Sequence, residues 1–266
     1  MTVRLTVQTG WYWDAEFIGF FIAAHLGLYE RAGLEVTFLE GGATIAPEQV
    51  LLEDAADVAI TVRDTTLSMI TTGADLEVIG AQYMADPLAV IIPTYRGITG
   101  LHELAGLCIA VPAVSKDGLL RGLERVGVAP DSVHTIDYDG TADVLLAGEA
   151  DAVVGYTTTL PVDLVEAGLT THSLLLAPSD GSAPQNLIVT RRSRSGSLSD
   201  AVGRWMRASA EGWRHNAADP TRFPEELRST WFANTTRPVA DEITHNIRQL
   251  EFMGDPESYL KTHSST

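Results

Sequence analysis

The chain has a single cysteine, only two lysines and no long apolar run. Cys108 alone cannot build a disulfide framework or a cysteine metal cluster, and its apolar, strand-like neighbours predict a buried and inert thiol. Because Lys116 and Lys261 are the only lysines, lysine-based chemistry has few candidates. The longest apolar stretch, residues 17–29, is shorter than the roughly 18 apolar residues that a membrane span needs, and His25 interrupts it.

Positive charge is also scarce. The 266 residues include 18 Lys and Arg against 35 Asp and Glu, which gives a formal net charge of −17. This balance disfavours nucleic acid and anionic membrane surfaces as partners. The histidines are scattered without the spacing of a metal site, and no phosphate loop, dinucleotide fingerprint or serine elbow is present. The sequence therefore predicts neither a metal nor a cofactor.

Strand and helix patterns alternate through the first third of the chain. Alternating apolar residues predict a strand at 3–7, and short apolar runs predict strands at 34–39, 58–61, 76–80 and 88–92. Helical patterns lie between them, with Asp64 expected to cap one helix and Gly73 to end it. This order predicts an α/β unit with a mostly parallel sheet and helices on both faces.

The segment 93–100 carries one proline and two glycines and breaks this alternation. A smaller α/β unit follows, with expected strands at 107–111, 133–136 and 152–155 and helices at 118–126, 141–146 and 160–167. The chain then re-enters a strand at 187–189 and continues as helix, one face of which is marked by Leu198, Val202, Trp205, Ser209 and Trp213. We therefore expect two lobes with a cleft between them, one formed by residues 1–92 with 186–266 and the other by 93–185. The arginine-rich segment 191–197 is interpreted as a solvated loop.

A weak internal repeat supports two equivalent units. Residues 51–58 resemble residues 145–152, because in both a helix end carries Leu-Leu and an Ala-Asp pair then enters an apolar strand. The two aspartates of the repeat are Asp57 and Asp151. Chance similarity between helix ends rich in Leu, Ala and Asp remains the alternative.

The residues between the first strand and the first helix are the most informative stretch. Trp11, Tyr12 and Trp13 are followed by Asp14 and Glu16, and a helical apolar pattern then begins. In α/β sheets, the turn beyond the carboxyl end of a strand is where ligands bind. The aromatic rings are candidates to stack on a flat ring, and the two acids are candidates to pair with ring amino groups or a ligand cation. The alternatives are a tryptophan-rich core corner and solvated acids, with Asp14 or Ala15 as a helix cap.

Several short motifs occur in a fixed order along residues 5–92. They are Trp11-x-x-x-Ala15-Glu16-x-x-Gly19-Phe20, Gly27-Leu28-Tyr29-x-x-x-Gly33-Leu34-x-Val36, Gly41-Gly42, Ala56-Asp57-Val58 and Asp86-Pro87. This series resembles the substrate-binding proteins for thiamin pyrimidine precursors and riboflavin in bacterial ABC transporters, a family that includes the pyrimidine synthase of thiamin biosynthesis. The resemblance is fainter from residue 97 to 189. It implies a two-lobed periplasmic-binding-protein-like fold of type II, with the ligand held in the cleft and the last third returning to the first lobe.

The synthase branch of that family uses a lysine for pyridoxal phosphate and a histidine, both on the segment equivalent to residues 60–67. Thr61 and Thr65 stand at those positions here, and the cysteine-rich segment of the synthase is absent. The resemblance therefore does not imply pyridoxal phosphate chemistry for this chain.

The candidate ligand-binding residues lie at turns where strands end or begin. Trp11 is favoured as the ring that faces the ligand, the 41–44 loop could offer backbone N–H groups, and Ser115 opens a helix in the second lobe. Helix capping and an internal Arg63–Asp64 pair are the alternatives for several of them. The full predicted set is Trp11, Trp13, Asp14, Glu16, Gly41, Gly42, Thr44, Arg63, Asp64, Gln82, Asp86, Ser115, Tyr156, Gln185 and Asn186.

The resulting interpretation is a binding protein for a small, flat, nitrogen-containing ring such as a thiamin-related pyrimidine, with ABC-transporter membrane subunits as partners. The alternative is a cytoplasmic enzyme on the same scaffold, a lyase or decarboxylase of a ring acid with Glu16 as the catalytic residue. An extracytoplasmic location is expected if the chain is a trimmed mature form, and a cytoplasmic one if Met1 is the native start.

Overall fold

A computed structural model describes residues 2–138, 143–178, 183–255 and 260. The start of the helix expected at 141–146 lies outside these residues. The chain divides into two compact units, the first formed by Met1–Met84 with Pro184–Thr266 and the second by Ala85–Ala183. The predicted first lobe, 1–92 with 186–266, includes residues 88–92, which belong to a strand of the second unit.

The first unit is built on a five-stranded sheet with the order β2-β1-β3-β10-β4. Strands β1, β2 and β3 are parallel, whereas β10 runs antiparallel to both β3 and β4, so one strand opposes the other four. The bounds are β1 Val3–Gln8, β2 Leu34–Leu39, β3 Val58–Thr61, β4 Glu77–Tyr83 and β10 Gln185–Thr190. The predicted strands 34–39 and 58–61 are confirmed to the residue.

Seven helices and one 3-10 turn surround this sheet in the described residues. They are the 3-10 turn Ala15–Phe17 and helices α1 Ile18–His25, α2 Leu28–Arg31, α3 Pro47–Leu52, α4 Arg63–Thr71, α8 Arg192–Ala218, α9 Phe223–Glu226 and α10 Val239–Met253. Helices α1 and α8 cross at glycines: a Cβ on Gly19 would lie 2.1 Å from the Trp213 ring, and one on Gly212 would lie 2.1 Å from the Gly19 carbonyl oxygen. Close approach of these two helices therefore depends on both glycines.

The second unit is built on a five-stranded sheet with the order β7-β6-β8-β5-β9. Here β5 is the strand that runs against the other four. Its strands are β5 Leu88–Pro93, β6 Cys108–Val111, β7 His134–Asp137, β8 Ala152–Tyr156 and β9 Thr171–Leu175. Its helices are α5 Lys116–Arg125, α6 Asp143–Leu146 and α7 Leu160–Glu166, with 3-10 turns at Thr94–Arg96, Leu101–Glu103, Ala113–Ser115 and Pro130–Ser132.

The α/β fold class with two sheets flanked by helices is confirmed, and each sheet is mixed. Strand β9 was not predicted, because its residues, Thr-His-Ser-Leu-Leu, do not alternate apolar with polar. The helical apolar pattern that begins after Glu16 forms two helices, α1 and α2, because Gly27 adopts the left-handed conformation between them, with φ of 67°. Asp64 is not a helix cap: Val62 is the N-cap of α4, and Asp64 lies in its first turn.

The arginine-rich segment 191–197 is not a solvated loop. Helix α8 begins at Arg192, and Arg191 donates to Asp54 and Asp75 at 2.6 and 3.1 Å. Arg194 pairs with Asp54 and Asp57. The pattern was misread because these arginines are neutralised by aspartates that are more than a hundred residues away in the chain.

The two aspartates of the internal repeat have matching hydrogen bonds. Asp57 binds Thr6 of β1 through its backbone N–H and its Oδ2, at 2.9 Å in both bonds. Asp151 does the same with Cys108 of β6, at 2.7 and 2.8 Å. The repeat therefore reflects one way of tying a helix end to a neighbouring parallel strand, used once in each unit. Cys108 is half-buried rather than buried, and desolvation raises the pKa of its thiol.

None of the helices formed by the described residues is both long and apolar enough to cross a membrane.

Candidate functional site

The predicted site residues of the first unit gather at one edge of its sheet. Because β1, β2 and β3 are parallel, their carboxyl ends meet at this edge, and the antiparallel strand β10 begins there. Trp11 to Glu16 follow β1, Gly41 to Thr44 follow β2, and Arg63 and Asp64 follow β3. Gln82 lies near the end of β4, and Gln185 and Asn186 open β10. This is the edge at which open α/β sheets bind ligands.

The turn Asp14-Ala15-Glu16 lies at the centre of this edge. Asp14 has extended backbone angles and its Oδ1 accepts the Glu16 N–H at 2.8 Å, so it caps the 3-10 turn. The capping alternative for Asp14 is therefore correct. Asp14 and Glu16 are both buried, at 5% and 6% exposure. Two buried acids two residues apart need specific partners to remain in the folded state.

Neutral amides hold Glu16 from one side. Asn186 Nδ2 donates to Glu16 Oε1 at 2.9 Å, and Gln82 Nε2 donates to the Glu16 carbonyl oxygen at 2.7 Å. Asn186 Nδ2 also lies 3.3 Å from Gln82 Oε1, which links the two amides. Among the described residues, the second carboxyl oxygen, Glu16 Oε2, has no hydrogen-bond partner. Asn186 holds a left-handed backbone conformation, with φ of 51°, at the point where β10 begins.

Helix α10 holds the same turn from the other side. Glu242 Oε2 accepts the Ala15 N–H at 2.9 Å, and Gln249 Nε2 donates to the Ala15 carbonyl oxygen. Tyr83 in turn donates its hydroxyl to Gln249 Oε1 at 2.9 Å. Both peptide groups of Ala15 are thus bonded to side chains more than 220 residues away. An enclosed turn with all of these groups bonded has little freedom to move.

A single arginine bridges two of the buried acids. Arg237 Nη1 lies 3.0 Å from Asp14 Oδ2 and 3.2 Å from Glu242 Oε1. His245 Nδ1 lies 3.9 Å from the same Asp14 oxygen. Glu242 and His245 have no exposed surface. Arg237 therefore stabilises the charged forms of Asp14 and Glu242 through ion pairs beside the turn.

Burial shifts the proton affinity of two of these acids. Desolvation, followed by the negative charge of Asp14, raises the pKa of Glu16 to about 8. The same two causes raise the pKa of Glu242 to about 7, against the lowering effect of Arg237. Both groups therefore exchange protons near neutral pH, which is where perturbed acids at functional sites act. Within the described residues, no group of three or more His, Cys, Asp and Glu side chains is arranged to hold a metal ion.

The aromatic residues of the turn have two different environments. Trp13 packs edge-on against Phe21 and Trp231, with ring centroids 5.7 and 5.2 Å apart, so it belongs to an aromatic core cluster. Trp11 is half-buried and meets the Tyr12 ring edge-on at 5.4 Å. Tyr12 is 47% exposed. Trp13 is also half-buried, so all three rings of the turn keep some exposed surface, and Tyr12 keeps the most.

The two-glycine loop supports the turn instead of offering all of its N–H groups to a ligand. The Gly41 N–H donates to Trp11 O and to Thr9 Oγ1, both at 3.1 Å, so it is already bonded. A Cβ on Gly41 would lie 2.4 Å from the Thr9 carbonyl oxygen, and one on Gly42 would lie 2.9 Å from the Tyr12 ring. Both glycines are needed for this close packing. Thr44 is exposed at the outer end of the loop.

Arg63 and Asp64 form the internal pair that the sequence left open. Arg63 Nε and Nη2 both lie 3.2 Å from the Asp64 carboxylate. The Arg63 backbone N–H donates to Gln185 Oε1 at 2.6 Å, which ties the start of α4 to the start of β10. The structure therefore brings Arg63, Asp64 and Gln185 together as a group.

The other three predicted residues belong to the second unit. Asp86 is buried and its Oδ1 accepts the Leu88 N–H at 2.8 Å. Tyr156 pairs with Leu88 across β8 and β5, and buried Ser115 lies just before α5. Because β6 and β8 are parallel and β5 is antiparallel to β8, these three residues lie at one edge of the second sheet.

Sequence reasoning missed the residues that support the turn from the chain's last helix. They are Arg237, Glu242, His245 and Gln249. One signal was present: Glu242, His245, Asn246 and Gln249 follow helical spacing, so one face of α10 is polar. In a sequence, a polar helix face predicts exposure to solvent, but in the structure this face is buried.

The two mixed sheets and their flanking helices define a periplasmic-binding-protein-like α/β protein. Residues 14–223 match the family described as NMT1/THI5 like, and the chain belongs to this family. The matched region begins at Asp14 and ends before α10. The resemblance that was read from the motifs at residues 5–92 is thereby confirmed.

Individual relatives are distant. A Haemophilus influenzae protein whose name assigns it to thiamine biosynthesis is 22% identical over 156 residues, which are 57% of this chain and 49% of that protein. The chain thus aligns with about half the length of this curated relative. The periplasmic aliphatic sulphonate binding protein SsuA from Escherichia coli superimposes with a TM-score of 0.72 at 15% identity, covering 94% of this chain and 84% of that one. The periplasmic nitrate-binding protein NrtA from Synechocystis PCC 6803 gives 0.67 at 16% identity, covering 90% and 69%.

Proposed function

We propose that this protein binds a small, flat, nitrogen-containing ring at the carboxyl edge of its first sheet. The observation that carries the proposal is Glu16: it is buried, its backbone and one oxygen are fixed by Gln82 and Asn186, and its Oε2 lacks a hydrogen-bond partner among the described residues. Glu16 is 6% exposed, and its known side-chain hydrogen bond is to the other oxygen, so Oε2 is open to a hydrogen bond from a ligand. A ring nitrogen or amino group supplies the required donor.

Trp11 is proposed as the stacking surface for the ring. It is half-buried, it lies at the same edge as Glu16, and the exposed ring of Tyr12 meets it edge-on. Stacked aromatic pairs contribute about 0.5–1.5 kcal/mol beyond the burial of apolar area. A thiamin-related pyrimidine fits this combination of a flat ring with donors at its edge, and the family membership favours it. Ser115, Tyr156 and Asp86 remain candidate binding residues of the second unit.

Uptake through an ABC transporter is the proposed context. The two structural neighbours described above are named as periplasmic binding proteins, and this supports an extracytoplasmic location with transporter membrane subunits as partners. The neighbours' ligands are sulphonate and nitrate, both anions. The buried excess of carboxylates beside Glu16 disfavours such anions here.

A second candidate function is catalysis by the same carboxyl group. Its pKa of about 8 would let Glu16 take up or release a proton near neutral pH, as a general acid or base must. The distant relative assigned to thiamine biosynthesis is consistent with an enzyme on this scaffold. A lyase or decarboxylase acting on a ring acid would be the reaction class.

A thermal-shift panel tests the binding proposal. Pyrimidines, flavins, aromatic acids, alkanesulfonates and nitrate are added separately, and a ligand at about 100 times its Kd should stabilise the protein by about 2.7 kcal/mol. We expect a pyrimidine to raise the melting temperature by several degrees, since about 2–4 °C follows from each kcal/mol at this chain size. A shift with sulfonates or nitrate alone would refute the heteroaromatic proposal.

Mass spectrometry of the bound compound separates binder from enzyme. The compound that shifts the melt is incubated with the wild-type protein and with Glu16→Gln, and is then recovered. A binder returns it unchanged. A product that forms with the wild type and is lost in Glu16→Gln, while binding is retained, would establish the enzyme alternative.

A further inference from the structure

The carboxylates beneath the turn are unequally supplied with positive charge. Arg237 Nη1 lies on Asp14 at 3.0 Å and on Glu242 at 3.2 Å. The partner on Glu16 is the neutral amide of Asn186. Glu16 is thus the buried acid of the cluster that has an amide donor but no ion-pair partner among the described residues.

Within the described residues, the charged and titratable groups of this cluster come from the turn itself and from the chain at α10. Asp14 lies in the same turn, Arg237 precedes α10, and Glu242 and His245 lie on α10 itself. Asn186 on β10 and Gln82 on β4 contribute amides without charge. Three carboxyl groups therefore share one guanidinium. In surroundings of low dielectric, ionisation of a carboxyl group that has no cation beside it costs free energy, and binding of a further cation would lower that cost.

We propose that the ligand supplies this cation: it binds with a positively charged nitrogen against Glu16 Oε2, and the carboxyl proton of Glu16 leaves to solvent in exchange. This inference rests on the proposed function and narrows its ligand class to cationic nitrogen heterocycles. The net charge of the site is the same before and after binding, because one positive charge enters as one proton leaves. A charge-assisted hydrogen bond or ion pair to Glu16 then replaces the neutral carboxyl group.

The fraction of Glu16 that is protonated at a given pH sets the number of protons released when the cation binds. With a pKa of about 8, about nine tenths of Glu16 carries its proton at pH 7. Binding of a fixed cation at pH 7 should release close to one proton per molecule. At pH 9 about one tenth of Glu16 remains protonated, so the same cation should bind about tenfold more tightly than at pH 7.

The test uses two probes of the same shape and different charge. 4-Amino-1-methylpyridinium is a permanent cation, and p-toluidine is its neutral isostere. Calorimetric titrations at pH 7 in buffers of different ionisation enthalpy measure both Kd and the number of protons released. We expect the cation to bind at least tenfold more tightly, which is about 1.4 kcal/mol, and to release about one proton.

Two variants assign the proton. Glu16→Gln keeps an oxygen for Asn186 and removes the ionisable group, so the preference for the cation and the proton release should both disappear. Glu48→Gln is the matched control: Glu48 is also buried, burial likewise raises its pKa, and it binds Thr66 rather than the turn. Its substitution should leave both readouts unchanged.

Two results would overturn the cation proposal while the proposed function stands: equal or tighter binding of p-toluidine, or cation binding with no proton release and no dependence on pH. If neither probe binds at millimolar concentration, the cation proposal is also wrong, and the thermal-shift panel then decides separately whether the protein binds flat rings.

Discussion

The stability of the protein should fall as pH rises from about 5 to 8, and Glu16 should cause a measurable part of this fall. Burial raises the pKa of Glu16 to about 8, whereas in the unfolded chain it has its ordinary value near 4.5. Between these values the folded protein binds a proton that the unfolded chain has released. The contribution of Glu16 to the free energy of unfolding is therefore largest below pH 4.5, decreases between pH 4.5 and 8, and is constant above pH 8.

The size of the effect follows from the same two values. Each pH unit within the window costs about 1.4 kcal/mol for one such group. Between pH 5.5 and 7.5 Glu16 should therefore account for about 2–3 kcal/mol, a large share of the roughly 5–15 kcal/mol that stabilises an ordinary domain. Glu242, with a pKa of about 7, adds a fall of the same sign over the lower part of the window.

Urea unfolding followed by tryptophan fluorescence provides the measurement, because Trp205 and Trp213 are buried in the first unit. Wild type and Glu16→Gln are compared at half-unit steps from pH 5 to 8.5, and the difference between them isolates Glu16. The variant should gain on the wild type by about 2–3 kcal/mol as pH rises. Asp75→Asn is the control: bonding to Ser193 lowers the pKa of Asp75, so its effect belongs below pH 4. Parallel wild-type and Glu16→Gln curves would refute the assignment of a raised pKa to Glu16.

Three further substitutions test two supports of the turn and the proposed stacking ring. Glu242→Ala leaves the buried N–H of Ala15 without its acceptor and should lower the free energy of unfolding in urea by about 1–3 kcal/mol. Glu242→Gln keeps an acceptor oxygen and should restore most of this loss. Equal losses in the two variants would contradict the hydrogen-bond role. Gly41→Ala would place a Cβ 2.4 Å from the Thr9 carbonyl oxygen and should lower the melting temperature by several degrees, whereas an unchanged melt would mean that the loop can shift at little cost. Trp11→Ala should weaken binding of the ring compound found in the thermal-shift panel by about thirtyfold or more in Kd, while the melting temperature of the free protein stays unchanged. An unchanged Kd in calorimetry would show that Trp11 is not part of the site.

Local sequence patterns were sufficient for most of the strands and for placing the candidate residues of the first unit at one edge of its sheet. The run that forms β2 lies between Gly33 and Glu40, and the run that forms β3 begins after Asp57 and ends at the polar residue Thr61, so the sequence indicated their limits. Asp14 and Glu16 were predicted as candidates because they follow a strand and precede a helix, which is a local feature. The order of the motifs indicated the family and, through it, the fold class.

Features that depend on distant partners could not be read in this way. The arginines at the start of α8 resemble a solvated loop until Asp54 and Asp75 are brought beside them. Glu242 and Gln249 form a polar helix face whose burial depends on the peptide groups of Ala15, far away in the chain. A helical period identifies which residues share a face, but it does not say which surface covers that face.

The tie between helix α10 and the Asp14–Glu16 turn also sets an order of events during synthesis. The second unit, Ala85–Ala183, is one continuous stretch and can fold as soon as it has left the ribosome. The first sheet must wait for β10, which fills the position between β3 and β4. The turn waits longer still, because Gln249 emerges more than 230 residues after Ala15. The acids of the turn therefore stay exposed to water throughout most of translation, and they become buried only when the last helix closes over them.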